Sequence, residues 1–345
     1  MRYRENLTLS LAGNVMLGST VDAALLRLGP TSVWGDALPY LRAADLTMVN
    51  LECALSQCNG EHGRPLCRLR SSPSNVTSLD AAGIDCVALA NDHVCDCGTV
   101  GLLDTIGVLD AGGTRHAGAG RDIRAARRPA LFALKGWRVA VLSFTNLADV
   151  QAASATSAGV NQVTLSTAAA DFAPVRQAVA EARALADFVV FGMHAGAPLA
   201  AAPTVELQAF ARAVIDAGAH AYWGHGSGVA QGIEIYHGQP ILYDTGDLVN
   251  VRQIESEVRN DLSAVFTLHV RPPQVELIEM LPLRLHGHQV DVARGEAARE
   301  FVKRMRTRAH ALGSTAVMRD DGRLVVEVPP FVPLPALAGL SSQIA

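Results

Sequence analysis

Short apolar runs that end abruptly at a polar residue recur along this chain, and they constrain its fold more than any other feature. Residues 84–89 are a mostly apolar run that reads as a buried strand. The loop after it carries Asn91, Asp92, His93 and Asp96 before a helix begins near Thr99. A strand therefore delivers an amide, two carboxylates and an imidazole to one strand-to-helix loop. In layered α/β folds that edge is where ligands bind. Oxygen and imidazole groups this close suit a divalent metal or an acid/base pair. The competing reading is a helix N-terminus, with Asp92 or Asp96 as the cap and His93 merely polar.

The pattern repeats. Residues 7–12 alternate as a strand and lead to Asn14 beside Gly13; residues 46–51 lead to Glu52. Residues 188–193 stop at His194, and residues 219–224 at His225, which Gly224 and Gly226 flank. Residues 240–243 lead to Asp244 and Asp247 on either side of Gly246. Glycine beside a polar residue lets the backbone turn sharply and expose it. One such strand end is explained by a cap or a satisfied core histidine. So many are not explained by packing, and they predict that these residues share one site.

With 345 residues the chain is long enough for one large domain, read here as 7–311, followed by a partly irregular extension over 312–345. It is 49% hydrophobic but only 5% aromatic, so the core is expected to be Val, Leu, Ile and Ala. A formal net charge of -4 with no basic stripe gives no reason to expect nucleic acid. There is no uncharged apolar run of about eighteen residues, so no membrane span is expected. The polar start, without a signal-like run, makes the cytoplasm the expected location. All six cysteines lie between Cys53 and Cys97, and in a reducing compartment most are expected as free thiols. A zinc site from Cys58, Cys67, Cys95 and Cys97 is the alternative, but paired Cys-x-x-Cys spacing is absent. A loop disulfide is expected only if the chain is exported.

A polar segment over residues 56–74 holds Arg64, Arg68 and Arg70, which could meet a substrate carboxylate or phosphate; a solvated loop is the competing reading. Helical stretches alternate with the early strands, and the late strands at 262–270 and 275–281 are expected to form a second sheet. No P-loop and no Gly-x-Ser-x-Gly elbow is found, and Gly118-Ala119-Gly120 is too short for a dinucleotide site.

These residues carry a family resemblance. Gly13-Asn14-Val15-Met16-Leu17-Gly18, Asn50-Leu51-Glu52, Ala90 to Gly98, His194-Ala195-Gly196, Gly224-His225-Gly226-Ser227-Gly228 and Asp244-Thr245-Gly246-Asp247-Leu248 follow one another in order. From about Leu7 to about Arg284 the chain resembles the CapA-type proteins of capsule and poly-γ-glutamate synthesis, within the calcineurin-like metallophosphoesterase superfamily. The resemblance implies a four-layer α/β/β/α sandwich with a metal-dependent site at the strand ends. Two departures stand out. Asn14 replaces an aspartate, and a His-Pro-His motif is reduced to the single imidazole of His225.

The expected metal ligands are Asn14, Glu52, Asn91, Asp96 and Asp244. The expected acid/base residues are His93, His194, His225, Asp92 and Asp247, with Arg64, Arg68 and Arg70 for a peptide or small-molecule substrate. One hard cation, calcium or magnesium, suits the remaining oxygen ligands better than two transition metals, with manganese or zinc as alternatives. Three activities follow. The first is inversion of a Cα centre, as in the lasso-peptide epimerase branch that this family resembles. The second is metal-dependent hydrolysis of a phosphoester or a γ-glutamyl or other amide. The third is a non-catalytic binding role in capsule assembly.

Overall fold

Alternation along the strands sorts the side chains into separate cores. In residues 137–145, Val139 and Val141 enter one hydrophobic cluster, while Ala140, Leu142 and Phe144 enter another. Phe188 and Val190 likewise point one way, and Val189, Phe191 and Met193 the other. Strands apolar on both faces belong in the middle of a layered fold.

The computed structural model describes residues 5–58, 69–147 and 150–330. The elements that position the site begin with β1 (Leu7–Val15), α1 (Ser19–Leu28), β2 (Leu46–Leu51), β3 (Cys86–Ala88), α2 (Gly98–Gly112) and β4 (Arg115–Ala117). Next come β5 (Ala130–Leu134), β6 (Trp137–Thr145), α3 (Ala169–Leu185), β7 (Phe188–Ala195), α4 (Val205–Asp216) and β8 (Ala221–Gly226). The chain continues through β9 (Ile233–Tyr236), β10 (Gln239–Leu242), β11 (Asp247–Val249), β12 (Leu262–Arg271), β13 (Gln274–His286), α5 (Gly295–Ala311) and β14 (Leu324–Glu327).

Among the described residues two large sheets form. The ten-stranded one runs β14–β13–β12–β1–β2–β3–β4, with β11 beside β1 and two further short strands, Gln289–Val292 beside β13 and Val317–Met318 beside β14; the six-stranded one runs β9–β10–β8–β7–β6–β5. β1 to β4 are parallel to one another, as are β6, β7, β8 and β10. One core lies between the sheets, with Leu7, Leu9 and Leu11 of β1 on one side and Val141, Val190 and Trp223 on the other. The helices α1 and α2 cover the outer face of the first sheet through Val21, Leu25, Leu102 and Leu109. On the outer face of the second sheet, α3 and α4 pack through Val175, Val179, Phe210 and Val214. This is the expected four-layer α/β/β/α sandwich.

One expectation is corrected. The late strands β12 and β13 do not make a second sheet; β12 pairs antiparallel with β1, with Leu7 opposite Val270, and extends the first. Alternation identifies which side of a strand is buried but not which strand it pairs with. Residues beyond 311 also join this sheet, through β14 against β13.

Trp223 ties the sheets together near one end. Its indole Nε1 donates to Ala12 O and to Thr245 Oγ1, each at 3.2 Å. Among the five helices named above, α4 has a side-chain N-cap. Thr204 Oγ1 accepts from Leu207 N at 3.2 Å at the start of α4. Thr204→Ala is therefore expected to cost about 1 kcal/mol of unfolding free energy, measured by urea denaturation, with the site unchanged.

Candidate metal and acid/base centre

Register brings the polar strand ends side by side. In the parallel pairs Asn14 stands opposite both Asn50 and Asp247. In the second sheet His194 stands opposite His225. These positions lie at the carboxyl ends of β1, β2, β7 and β8, and β3 supplies the loop over Asn91 to Asp96. Asn14, Asn50, Asn91, His194, His225 and Asp247 are buried, so each of their polar groups needs a partner, while Asp92, His93 and Asp96 are partly open.

Three asparagines meet that need as a directional chain. Asn91 Oδ1 accepts from the backbone N–H groups of His93 (3.1 Å) and Val94 (2.9 Å), which fixes its amide orientation. Asn91 Nδ2 then donates to Asn50 Oδ1 at 3.0 Å and to Leu51 O at 2.9 Å. Asn50 Nδ2 donates to Asn14 Oδ1 at 2.9 Å and lies 3.2 Å from Glu52 Oε2. Asn14 Nδ2 donates to Asp247 Oδ1 at 2.8 Å. Each amide oxygen in the chain is already an acceptor, so orientation propagates from two backbone amides to a buried carboxylate.

The imidazoles follow from this chain. Asn50 Nδ2 sits 3.3 Å from His194 Nδ1, and a donor there requires a lone pair on Nδ1. The His194 proton is then on Nε2, 3.2 Å from Asp92 Oδ1. His225 Nδ1 lies 3.1 Å from the same His194 Nδ1, and His225 Nε2 is buried without a hydrogen-bond partner among the described residues. Burial pushes both histidines below their ordinary value, outweighing the pull of Asp92 on His194. Both rings are neutral at pH 7.

His93 is different. Its Nδ1 donates to Asp96 Oδ2 at 2.9 Å, and Leu69 N donates to the same oxygen at 2.7 Å. Its Nε2 faces Asp92 Oδ2 at 3.7 Å and Glu52 Oε1 at 3.9 Å. Burial lowers the pKa of His93, but the hydrogen bond to Asp96 and the charges of Asp92 and Asp96 outweigh it and raise the value. Asp92 is held well below the usual carboxylate range: its partial desolvation raises the value, but the hydrogen bond to His194 and the imidazoles beside it outweigh that. Burial drives Glu52 well above that range, against the pull of Arg252. Burial also raises Asp244 to about 7 and Asp247 to about 6. A cluster of buried carboxylates this unfavourable asks for positive charge.

Glu52, Asp92 and His93 each offer one ligand atom, all within 4.8 Å of one another, and no cysteine belongs to this group. That separation suits one divalent cation. The His93 geometry suits it too, because a carboxylate on the far ring nitrogen holds the ligating lone pair in place. The asparagine chain, by contrast, has spent its oxygens on hydrogen bonds.

The polar strand ends therefore converge. Asn14, Glu52, Asn91, Asp92, His93, Asp96, His194, His225 and Asp247 are linked in one network. Asp244 adjoins it, its oxygens accepting from Ser227 N (2.8 Å) and Gly246 N (2.7 Å) and shaping the turns around His225 and Asp247. Asp96 does not cap α2, whose N-cap is Cys97 without a side-chain cap bond. Arg64 and Arg68 lie outside the described residues, and Arg70 Nη1 donates to Gln57 O at 3.4 Å. Cys53, Cys58 and Cys86 are free thiols, but Cys97 is disulfide-bonded.

Three residues enter the site that the strand-end pattern did not select. Asn50 is the central link of the amide chain. Arg252 Nη2 donates to Glu52 Oε1 at 2.6 Å. Asn250 donates to Asp247 Oδ2 and accepts from Arg252 N. For Asn50 the signal was present in Asn50-Leu51-Glu52; for Asn250 and Arg252 no motif marked them.

The profile of the family described as bacterial capsule synthesis protein PGA_cap matches residues 8–252, which contain every residue of the network. The chain belongs to the PGA_cap family. A probable polyglutamine synthesis accessory protein of Mycobacterium tuberculosis (strain CDC 1551 / Oshkosh) is similar to it, at 30% identity over 94% of this chain and 89% of that one. The capsule biosynthesis protein CapA of Bacillus anthracis is 26% identical over 93% of this chain and 78% of its own. Among solved structures, TT1561 of Thermus thermophilus has a TM-score of 0.41 at 12% identity, over 77% of this chain and 100% of that one. In this PGA_cap member no described helix is long and apolar enough to cross a membrane.

Proposed function

We propose that this PGA_cap member holds one divalent cation on Glu52, Asp92 and His93 and hydrolyses an amide or phosphoester bond in an anionic capsule-type polymer, poly-γ-glutamate foremost, or in its precursor. The observation that carries this reading is the orientation of His93. With Nδ1–H committed to Asp96, the Nε2 lone pair is aimed at oxygens of Glu52 and Asp92. Calcium, magnesium and manganese are all compatible with two oxygens and one nitrogen. The cation supplies Lewis-acid polarisation of the scissile carbonyl or phosphoryl group. The protein supplies the rest. Asp92, with its side chain 40% exposed, forms the open edge of the group. Neutral His194 keeps its Nε2–H on Asp92 Oδ1 and so orients that carboxylate at the open edge, and the leaving group's proton comes from the attacking water. The buried asparagine chain holds the His194 ring without titrating, and Asp96 holds that of His93. The names of the relatives, polyglutamine synthesis accessory protein and capsule biosynthesis protein, support the choice of polymer. The Cys97 disulfide fits an oxidising compartment better than the cytoplasm.

A second reading, Cα inversion in a peptide such as a lasso-type precursor, is favoured by one observation. His93 and His194 flank Asp92 from two sides, and each is paired with a carboxylate. The test is incubation with manganese and γ-glutamyl oligomers, peptides or a simple phosphodiester in heavy water. Released amine or phosphate that chelator abolishes supports hydrolysis. Deuterium at Cα without cleavage supports inversion. Tight polymer binding with neither would sink both in favour of a binding role.

Metal affinity also has a definite pH dependence. The raised His93 pKa means that protonated His93 stabilises the metal-free fold below the ordinary value of 6.5, an effect lost as pH rises through the folded value. A cation needs the neutral ring, so it competes with that proton. Manganese affinity is expected to rise by about ten-fold or more from pH 6 to pH 8, with proton release on binding. Calorimetry in buffers of different ionisation enthalpy measures both.

A further inference from the structure

Glu52 Oε1 faces two claimants. It is the oxygen turned toward His93 Nε2, at 3.9 Å, and the oxygen that accepts from Arg252 Nη2, at 2.6 Å. The guanidinium does not arrive there by chance. Asn250 ties the Arg252 backbone to Asp247. Gly228 leaves room for the side chain: a Cβ there would stand 3.0 Å from both Arg252 Nη1 and Asp247 Oδ2. Arg252 Nη1 is buried and has no protein hydrogen-bond partner among the described residues. A guanidinium held at one end by a buried carboxylate, with an idle donor at the other, is placed for its charge as much as for its hydrogen bonds.

We propose that Arg252 is a tethered internal cation that neutralises Glu52 in the metal-free centre and that an incoming divalent ion must displace from Glu52 Oε1. This rests on the reading of Glu52, Asp92 and His93 as the metal group. Removing Arg252 then has two opposite effects. Without metal, Glu52 is left buried and uncompensated, so the fold is weaker. With metal, a repelling charge close to the ion is gone, so binding is tighter.

The experiment compares wild type with Arg252→Gln, using Mn2+ alone as the probe. Titration calorimetry is expected to show affinity at least about ten-fold higher in the variant. Thermal melting in chelator is expected to show a Tm several degrees lower, with Mn2+ raising it more than in wild type. Arg252→Lys keeps the charge and is expected to gain less affinity than the glutamine variant; an equal gain overturns the role of charge. If Arg252→Gln loses its fold in chelator, recovery at Mn2+ concentrations below the wild-type Kd supports the proposal, and failure to recover overturns it. Unchanged or weaker affinity in a folded variant overturns the role of Arg252 while leaving the metal group standing. If neither protein binds Mn2+, both fall. Binding by the variant alone supports the proposal outright.

Discussion

His93→Ala is expected to weaken divalent-cation binding by at least about a hundred-fold and to reduce any metal-dependent activity at least as much. His93 is the one nitrogen in the candidate group, and the two carboxylates that remain are poorly matched without it. Glu52 is fully buried and already paired with Arg252, and Asp92 is engaged by His194. The His93 side chain is 21% exposed, so its removal opens no large cavity and the fold is expected to survive. Asp96→Asn is the graded companion. It keeps an oxygen for His93 Nδ1–H and for Leu69 N but removes the charge, and losses of this kind run to about ten-fold. Calorimetry with Mn2+ reads both. A His93→Ala protein that binds Mn2+ as tightly as wild type would remove His93 from the centre.

Gly224→Ala is expected to prevent folding, or to cost more than about 4 kcal/mol. An added Cβ at this position would lie 1.9 Å from Tyr243 O and 2.9 Å from Leu242 O. Those are backbone atoms, which cannot rotate aside as a side chain can. The residue directly precedes His225, and Thr245 N donates to Gly224 O at 2.9 Å, so relief of the clash would move β8 and the turn before Asp247 together. Gly13 repeats the arrangement on the first sheet, where a Cβ would stand 1.8 Å from Gly246 O, one residue before Asn14. The contrasting control is Gly107→Ala. Nothing lies within 4 Å of a Cβ there, and the residue is inside α2, so a gain of about 0.5–1 kcal/mol is expected. Denaturant unfolding orders the three proteins. A folded Gly224→Ala with wild-type stability would show that this close backbone approach is not needed.

The glycines beside Asn14 and His225 were legible as turning points, but their reason was not. From sequence alone they free the backbone to expose a polar residue. In the structure Gly13 and Gly224 instead admit a neighbouring backbone to contact, and that depends on a segment more than eighteen residues away. Likewise Asp96 was placed in the site by its spacing, yet its use as the anchor of His93 Nδ1 needs the loop to close on itself and on Leu69 N. Asn14 was read as a lost aspartate. Its neighbours make it a link in a chain of amides, a property no single position carries.

Local residue pattern alone establishes a layered α/β chain with its chemistry at strand ends. Apolar alternation is local, and a polar residue closing a buried strand is costly wherever it occurs. Family membership was also written there, in six short motifs spread along one stretch. Tertiary structure decided sheet membership, sending β12 and β13 to the first sheet, because strand partners are chosen across long separations in the chain. It decided that Arg252, 200 residues from Glu52, shares its oxygen. It also decided which imidazoles are neutral. Burial and the direction of each hydrogen bond set that balance, and both exist only once the strands have been brought together.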